Sequence, residues 1–139
     1  MATEHTIRKL LAEDVVLKEL MDKSRGRDLG YSPIFVGTPT DAFIKTENAP
    51  WIRISDIGFD SAIYADDKRL FNYPRLQIDF WVKQTDVNGL TAIEKQLYKF
   101  MSNNGFERYY KYHVNDPDTT GLIMVQGNYE GFERMDIDD

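Results

Sequence analysis

The chain has no cysteine in its 139 residues, which excludes disulfides and thiolate metal sites and suits a reducing compartment. Histidine is almost as scarce, with only His5 and His113. A nucleophile, base and orienting group therefore have few places to come from, and no catalytic triad is expected. Basic residues are outnumbered, 17 against 23 acidic, for a formal charge of -6. That balance opposes gripping a phosphate backbone, because nonspecific nucleic-acid binding draws on a basic surface that releases counterions. No hydrophobic run approaches the ~20 residues that span a bilayer, and the opening Met1-Ala-Thr-Glu-His-Thr-Ile-Arg-Lys9 lacks the apolar core of a signal peptide. The sequence thus predicts a soluble intracellular product with no membrane partner.

What is present is enough for a core. Hydrophobic residues make up 42% and aromatics 13%, so the chain can bury the apolar surface that offsets ordering entropy. One domain over 1-139 is the expectation at this length. Ile7, Leu10, Leu11, Leu17, Leu20 and Met21 fall near a helical period. They predict one helix, unless Asp14 caps a second short helix and breaks the segment. Residues 23-50 carry three glycines and three prolines, predicting a long loop with short extended pieces at Ile34 to Val36 and Ala42 to Lys45.

Two strands follow, at Trp51 to Ile57 and Arg75 to Lys83, each with a two-residue alternation. The stretch between them, Tyr64 to Leu70, has no sustained period and reads as the start of a polar connection ending at Pro74. Leu90, Ile93, Leu97, Phe100 and Met101 form a helical stripe, with Asp86 or Asn88 as its cap and Asn103-Asn-Gly105 as its stop. Phe106 to His113 and Leu122 to Tyr129 then read as a hairpin around the turn-rich Asn115 to Gly121. The last residues, Met135 to Asp139, read as a frayed acidic end. The predicted class is α+β, with two main helices packed on a mainly antiparallel sheet of about four strands.

No motif points to catalysis. His113 beside Tyr109, Tyr110 and Tyr112 offers a general base, but a strand histidine among aromatics is more often packing or surface. Asp116, Asp118 and Thr119 could ligate a hard cation, yet they lack the glycine-centred loop and the final bidentate glutamate, so a turn held by Asx bonds is the plainer role. Asp66-Asp67 and Asp136 to Asp139 read as solvated charge. Gly26-Arg-Asp-Leu-Gly30 lacks the lysine and flanking elements of a phosphate loop.

The informative feature is the second face of the two central strands, where Trp51, Arg53, Arg75, Gln77, Asp79 and Trp81 combine large aromatics with charge. Tryptophan and arginine are enriched where proteins associate. Composition alone fits an interface and fits equally a face that the chain's own loops partly cover or that is simply exposed. Tyr109, Tyr110, Tyr112, Tyr129 and Phe132 suggest a further aromatic surface, belonging either to the core or to a neighbour.

The segments Pro50-Trp-Ile-Arg-Ile54, Tyr64-Ala-Asp-Asp-Lys-Arg-Leu70, Tyr73-Pro-Arg-Leu-Gln-Ile-Asp-Phe-Trp-Val-Lys83 and Asn104-Gly-Phe-Glu-Arg-Tyr-Tyr110 resemble a family of small tail proteins. These come from long, flexible-tailed phages and prophages of Gram-positive bacteria. The likeness covers most of residues 50 to 110 and enters the last hairpin, whereas the first helix and the 23-50 loop match only in general character. The resemblance implies a tail terminator: a ring, commonly a hexamer, that stops polymerisation of the tail tube and presents a surface to head-completion proteins. It implies an α+β fold, a place in the virion tail after assembly in the host cytoplasm, no active site, no cofactor and no metal. Its partners would be other copies of itself, the tube protein and the head-completion or connector proteins, with DNA only as passing cargo. A head-side connector of the phage neck is the alternative within the same biology, and a small nucleic-acid-binding module the alternative outside it.

Overall fold

The computed structural model describes residues 3-57, 61-65, 68-131 and 133-134. Three helices pack on one face of a five-stranded sheet, and a smaller three-stranded sheet continues from it. The α+β expectation holds.

The first helical segment is split. Helix α1 spans Thr3–Ala12 and α2 spans Val15–Arg25, with Asp14 between them in extended conformation. Its carboxylate accepts from the amides of Val16 and Leu17 at 3.0 and 3.3 Å. Those amides have no intrahelical acceptor at a helix start, so the cap stabilises the break. The other Asp14 oxygen accepts from the Gln96 amide at 2.9 Å, which ties the break to the third helix, α3 (Val87–Asn103). Asp86 caps α3 by accepting from the Gly89 amide at 2.9 Å. The Ser24 hydroxyl donates to the same carboxyl group, linking the end of α2 to the start of α3.

Strand β1 (Ile34–Val36) is parallel to β2 (Trp51–Asp56), and every other pairing is antiparallel. With β5 (Arg75–Lys83), β6 (Phe106–Asn115) and β7 (Leu122–Gly131), the main sheet runs β1-β2-β5-β7-β6. Ile52, Ile54, Leu76, Ile78, Phe80, Val82, Val125 and Tyr129 face the helices and pack with Ile7, Leu11, Leu17, Met21, Ile93, Leu97 and Met101. This is the main core, and most of it belongs to the periodic stripes visible in the sequence.

The expectation of one helix over the first helical segment gives way to its alternative, the break at Asp14, and two further expectations fail. Residues 42-45 form no strand: a turn at 41-43 leads into a short 3-10 turn, Thr46–Asn48. The supposed polar connection is instead a hairpin of β3 (Ser61–Ala65) and β4 (Lys68–Tyr73), joined by β8 (Glu133–Arg134) into the second sheet in the order β3-β4-β8. The register explains how this sheet is built. Arg75 of β5 lies opposite Glu130 of β7, and Asn72 of β4 lies opposite Glu133 of β8, so the same ladder continues past Pro74 without a slip. An irregularity at Ile63/Tyr64 interrupts the β3-β4 register. Strand pairing over a few residues with a slip leaves no sustained two-residue alternation for sequence reading to find. Phe132, Asp66, Asp67 and the acidic end 135-139 lie outside the described residues.

Candidate assembly surface

The alternation of β2 and β5 sends one set of side chains to the helices and the other to the opposite face. Register then sorts that opposite face into rows: Trp51 opposite Trp81, Arg53 opposite Asp79, Ser55 opposite Gln77. Arg75 lies on the same face at the far end of β5, opposite Glu130. The six residues singled out from sequence therefore share one surface of the sheet.

They do not share one environment. Trp51 and Trp81 stack with ring centroids 5.3 Å apart and planes 16° from parallel, and they are 1% and 8% exposed. Phe43 sits edge-on against Trp51 at 5.6 Å, and Phe35 against Phe43 at 4.9 Å. With Ala49 and Leu122 these rings form a second, smaller core under residues 37-50. The chain's own loop thus covers the tryptophan end of the face, which was the alternative raised by composition. Trp81 Nε1 donates to Asp116 Oδ2 at 3.0 Å, as a buried indole usually needs to. Trp51 Nε1 has no hydrogen-bond partner among the described residues.

The covering loop is held as a strap. Arg25 at the end of α2 donates to the carbonyls of Asn48 and Pro50 at 3.1 and 2.6 Å and pairs with Asp22 at 3.0 Å. Burial lowers the Arg25 pKa, and Asp22 opposes that shift. Arg27 donates to Asn48 Oδ1 at 2.7 Å, Asn48 Nδ2 to the Phe43 carbonyl at 2.7 Å, and Thr46 Oγ1 to the Thr120 carbonyl at 3.0 Å. The acceptors at Phe43, Asn48, Pro50 and Thr120 are backbone carbonyls, which these side chains pair.

Beyond the strap the face is polar. Asp79 is 0% exposed and accepts from Arg53 Nε and Nη2 at 3.2 and 2.6 Å. Gln77 Nε2 lies 3.1 and 3.0 Å from its two oxygens. The buried carboxylate is thereby both paired and hydrogen-bonded, the condition under which burial of a charge is tolerated. The Arg53 guanidinium also lies 4.9 Å from the Trp81 ring centroid. Next along the rows come Gln126 and Asn128 of β7, linked at 3.2 Å, then Tyr112 and Tyr110 of β6. Those two tyrosines are 47% and 46% exposed, with centroids 6.5 Å apart. Tyr110 and Tyr112 alternate visibly in the sequence, but only the strand order places them in the same cross-strand rows as Gln77 and Arg53, with β7 between.

Two of the sequence candidates for chemistry have defined partners in the fold. His113 Nε2 lies 2.8 Å from Glu94 Oε2, and Lys111 Nζ donates to Glu94 Oε1 at 3.1 Å, joining β6 to α3. Burial pushes the Glu94 pKa up, but the hydrogen bonds from His113 and Lys111 outweigh it and hold the group below its ordinary value. The Asp118 amide donates to Asp116 Oδ1 at 3.1 Å, an Asx bond of the kind expected for that turn. Among the described residues no group of three or more His, Asp or Glu is placed to hold a metal ion. No described helix is long and apolar enough to cross a membrane.

No protein-family model matches the sequence, and neither does any curated protein. The fold has a solved counterpart: a chain from the virion of a native gene transfer agent particle superimposes with a TM-score of 0.63 over 93% of this chain and 92% of that one, at 10% identity. What this chain shares with that virion component is its fold, over nearly the whole length of both.

Proposed function

We propose that this protein is a structural component of a phage or prophage virion, a tail terminator that caps the tail tube as a ring of identical subunits. One observation carries the reading: the fold is that of a virion-particle chain across 93% of its length. Two segments that resemble small prophage tail proteins form β2 and β5, the adjacent strands at the middle of that fold. The protein acts by assembly rather than catalysis, ending tube polymerisation and offering a surface to head-completion proteins. Six subunits in the ring is the number the family resemblance suggests.

The assembly surface we assign is the polar half of the outer sheet face. Arg53, Gln77 and Arg75 reach the surface there, whereas Asp79, Trp51 and Trp81 support them from beneath. A prebuilt network of this kind loses little side-chain entropy on docking, which favours it as a contact. The acidic balance of the chain suits a lumen through which DNA passes without sticking.

The experiment is to add the purified protein to purified tail tubes and follow mass by light scattering and tube ends by electron microscopy. Capped ends of fixed subunit number, lost in an Arg53→Met, Asp79→Leu double variant that removes the buried pair together and so leaves no unpaired charge, are the expected result. Binding to portal-side complexes with no effect on tubes would reassign the protein to the head-side connector. Salt-sensitive DNA binding without assembly would favour the nucleic-acid module instead.

A further inference from the structure

Each sheet of this molecule ends in strands whose outer backbone groups have no strand beside them among the described residues, and the ends differ in how they are guarded. At one edge of the main sheet β1 is three residues long, and Arg8 Nε donates to its Ile34 carbonyl at 2.9 Å. A short strand with a side chain seated on its edge is a protected edge.

The opposite edge, β6, is ten residues long and contains no proline. A register shift at Arg108/Tyr110 interrupts it, leaving 110-115 as an unbroken stretch. Charged side chains commonly guard such an edge. Here Lys111 and His113 are turned instead onto Glu94 of α3, and the opposite face of the strand carries the exposed rings of Tyr110 and Tyr112. An edge of this length left bare invites pairing with any extended chain.

The second sheet supplies a matching element. It prolongs the β5-β7 ladder beyond Pro74 as an arm, and its first strand, β3, is a five-residue edge in the order β3-β4-β8. One chain therefore carries a receiving edge on the main sheet and a donating edge on the arm. A head-to-tail ring requires two different, mutually complementary patches on each subunit.

We propose that the seam between subunits is a β-strand pairing, in which β3 on the arm of one copy adds to the 110-115 edge of β6 in the next. The inference rests on the ring reading above and assigns it a seam. Backbone hydrogen bonds join the copies, and the arm reaches from one subunit onto the sheet of its neighbour.

The absence of cysteine from the chain makes the test clean. Single cysteines are introduced in β3 (Ala62→Cys, Ile63→Cys) and in β6 (Lys111→Cys, Tyr112→Cys), two successive positions per strand so that both faces are sampled. Proteins are mixed pairwise, assembled with tail tubes and treated with a short bismaleimide, while light scattering on the same samples reports whether rings form. Opposed strand residues lie roughly 4.5 to 5.5 Å apart at Cα, well within reach of the reagent.

The expected result is a covalent dimer in at least one mixture of a β3 variant with a β6 variant and none in any single variant. A chain bearing both cysteines should then give a ladder of multimers ending at the ring. Cross-linking of a β6 variant with itself overturns the proposal in favour of a two-fold β6-β6 contact. Rings that form without a cross-link in any of the four mixtures overturn it while leaving the terminator reading intact. A protein that stays monomeric with tubes present overturns both.

Discussion

Asp79 shows most directly what one residue does for the outer face. Its carboxylate is fully buried and is the shared acceptor for Arg53 and Gln77, so Asp79→Ala leaves a guanidinium and an amide over an apolar hole. Removing one partner of a buried pair costs about 3 to 5 kcal/mol, and urea unfolding should show a loss of that size. The Arg53→Met, Asp79→Leu double variant should recover most of the stability if the pair is structural, while losing the capping of tail tubes. Trp81 belongs to the same argument. With the ring 8% exposed and stacked under the strap, Trp81→Ala should lower stability by about 3 to 5 kcal/mol. Any loss of assembly in that variant would report damage to the fold rather than to a contact.

Glu94 makes a third single-residue prediction. Its pKa in the folded state is held below the ordinary carboxylate value by His113 and Lys111 despite partial burial. A group depressed on folding contributes stability above its unfolded pKa, and that contribution is lost as pH falls through the folded value. Wild-type stability should therefore decline through the acid range below the usual glutamate pKa. Glu94→Gln should flatten that part of the curve, as measured by urea unfolding at a series of pH values. An unchanged acid limb would mean that other carboxylates govern it.

At the scale of elements, the break between α1 and α2 rests on the Asp14 cap and its bond from Gln96. Asp14→Ala should cost about 1 kcal/mol, and Asp14→Ser, which keeps an acceptor for the α2 amides, should cost less. Stability measured on both variants separates capping from the tie to α3. This break was legible as one of two readings, because aspartate between two apolar helical stripes caps equally well in sequence whether or not the chain turns there. The strands β2 and β5 and helix α3 were legible nearly to the residue, since each has a long uninterrupted period set by a core on one side. The β3-β4 hairpin was not: its pairing slips within five residues, and it completes its sheet by borrowing two residues from the far end of the chain. The strap was visible as a long Gly/Pro-rich segment but not as a cover, because nothing in 37-50 states what lies beneath it.

At the scale of the whole molecule, two cores share one sheet. Helices fill one face, and the strap fills the tryptophan end of the other, which leaves the polar rows and the β6 edge outward. The tail-terminator reading makes a prediction at this scale: in the assembled ring the lumen wall should carry net negative charge. An electron cryomicroscopy structure of the ring on a tube checks it, and a basic lumen would discard the idea of like-charge repulsion of passing DNA.

Sequence by itself determined the class of fold, the main core and the grouping of Trp51, Arg53, Arg75, Gln77, Asp79 and Trp81 on one face. All of these follow from periodicity and near-neighbour chemistry within single elements. Tertiary structure alone decided that the tryptophans are covered while Arg53 and Gln77 are not, that Tyr110 and Tyr112 continue their rows, and that β6 is an edge with no strand beside it among the described residues, while the second sheet prolongs the β5-β7 ladder as an arm. The physical reason is that burial and strand order are properties of pairs of segments far apart in the chain, such as Trp51 with Trp81 or Asp79 with Gln126, and one-dimensional periodicity carries the facing of each segment but not its neighbour.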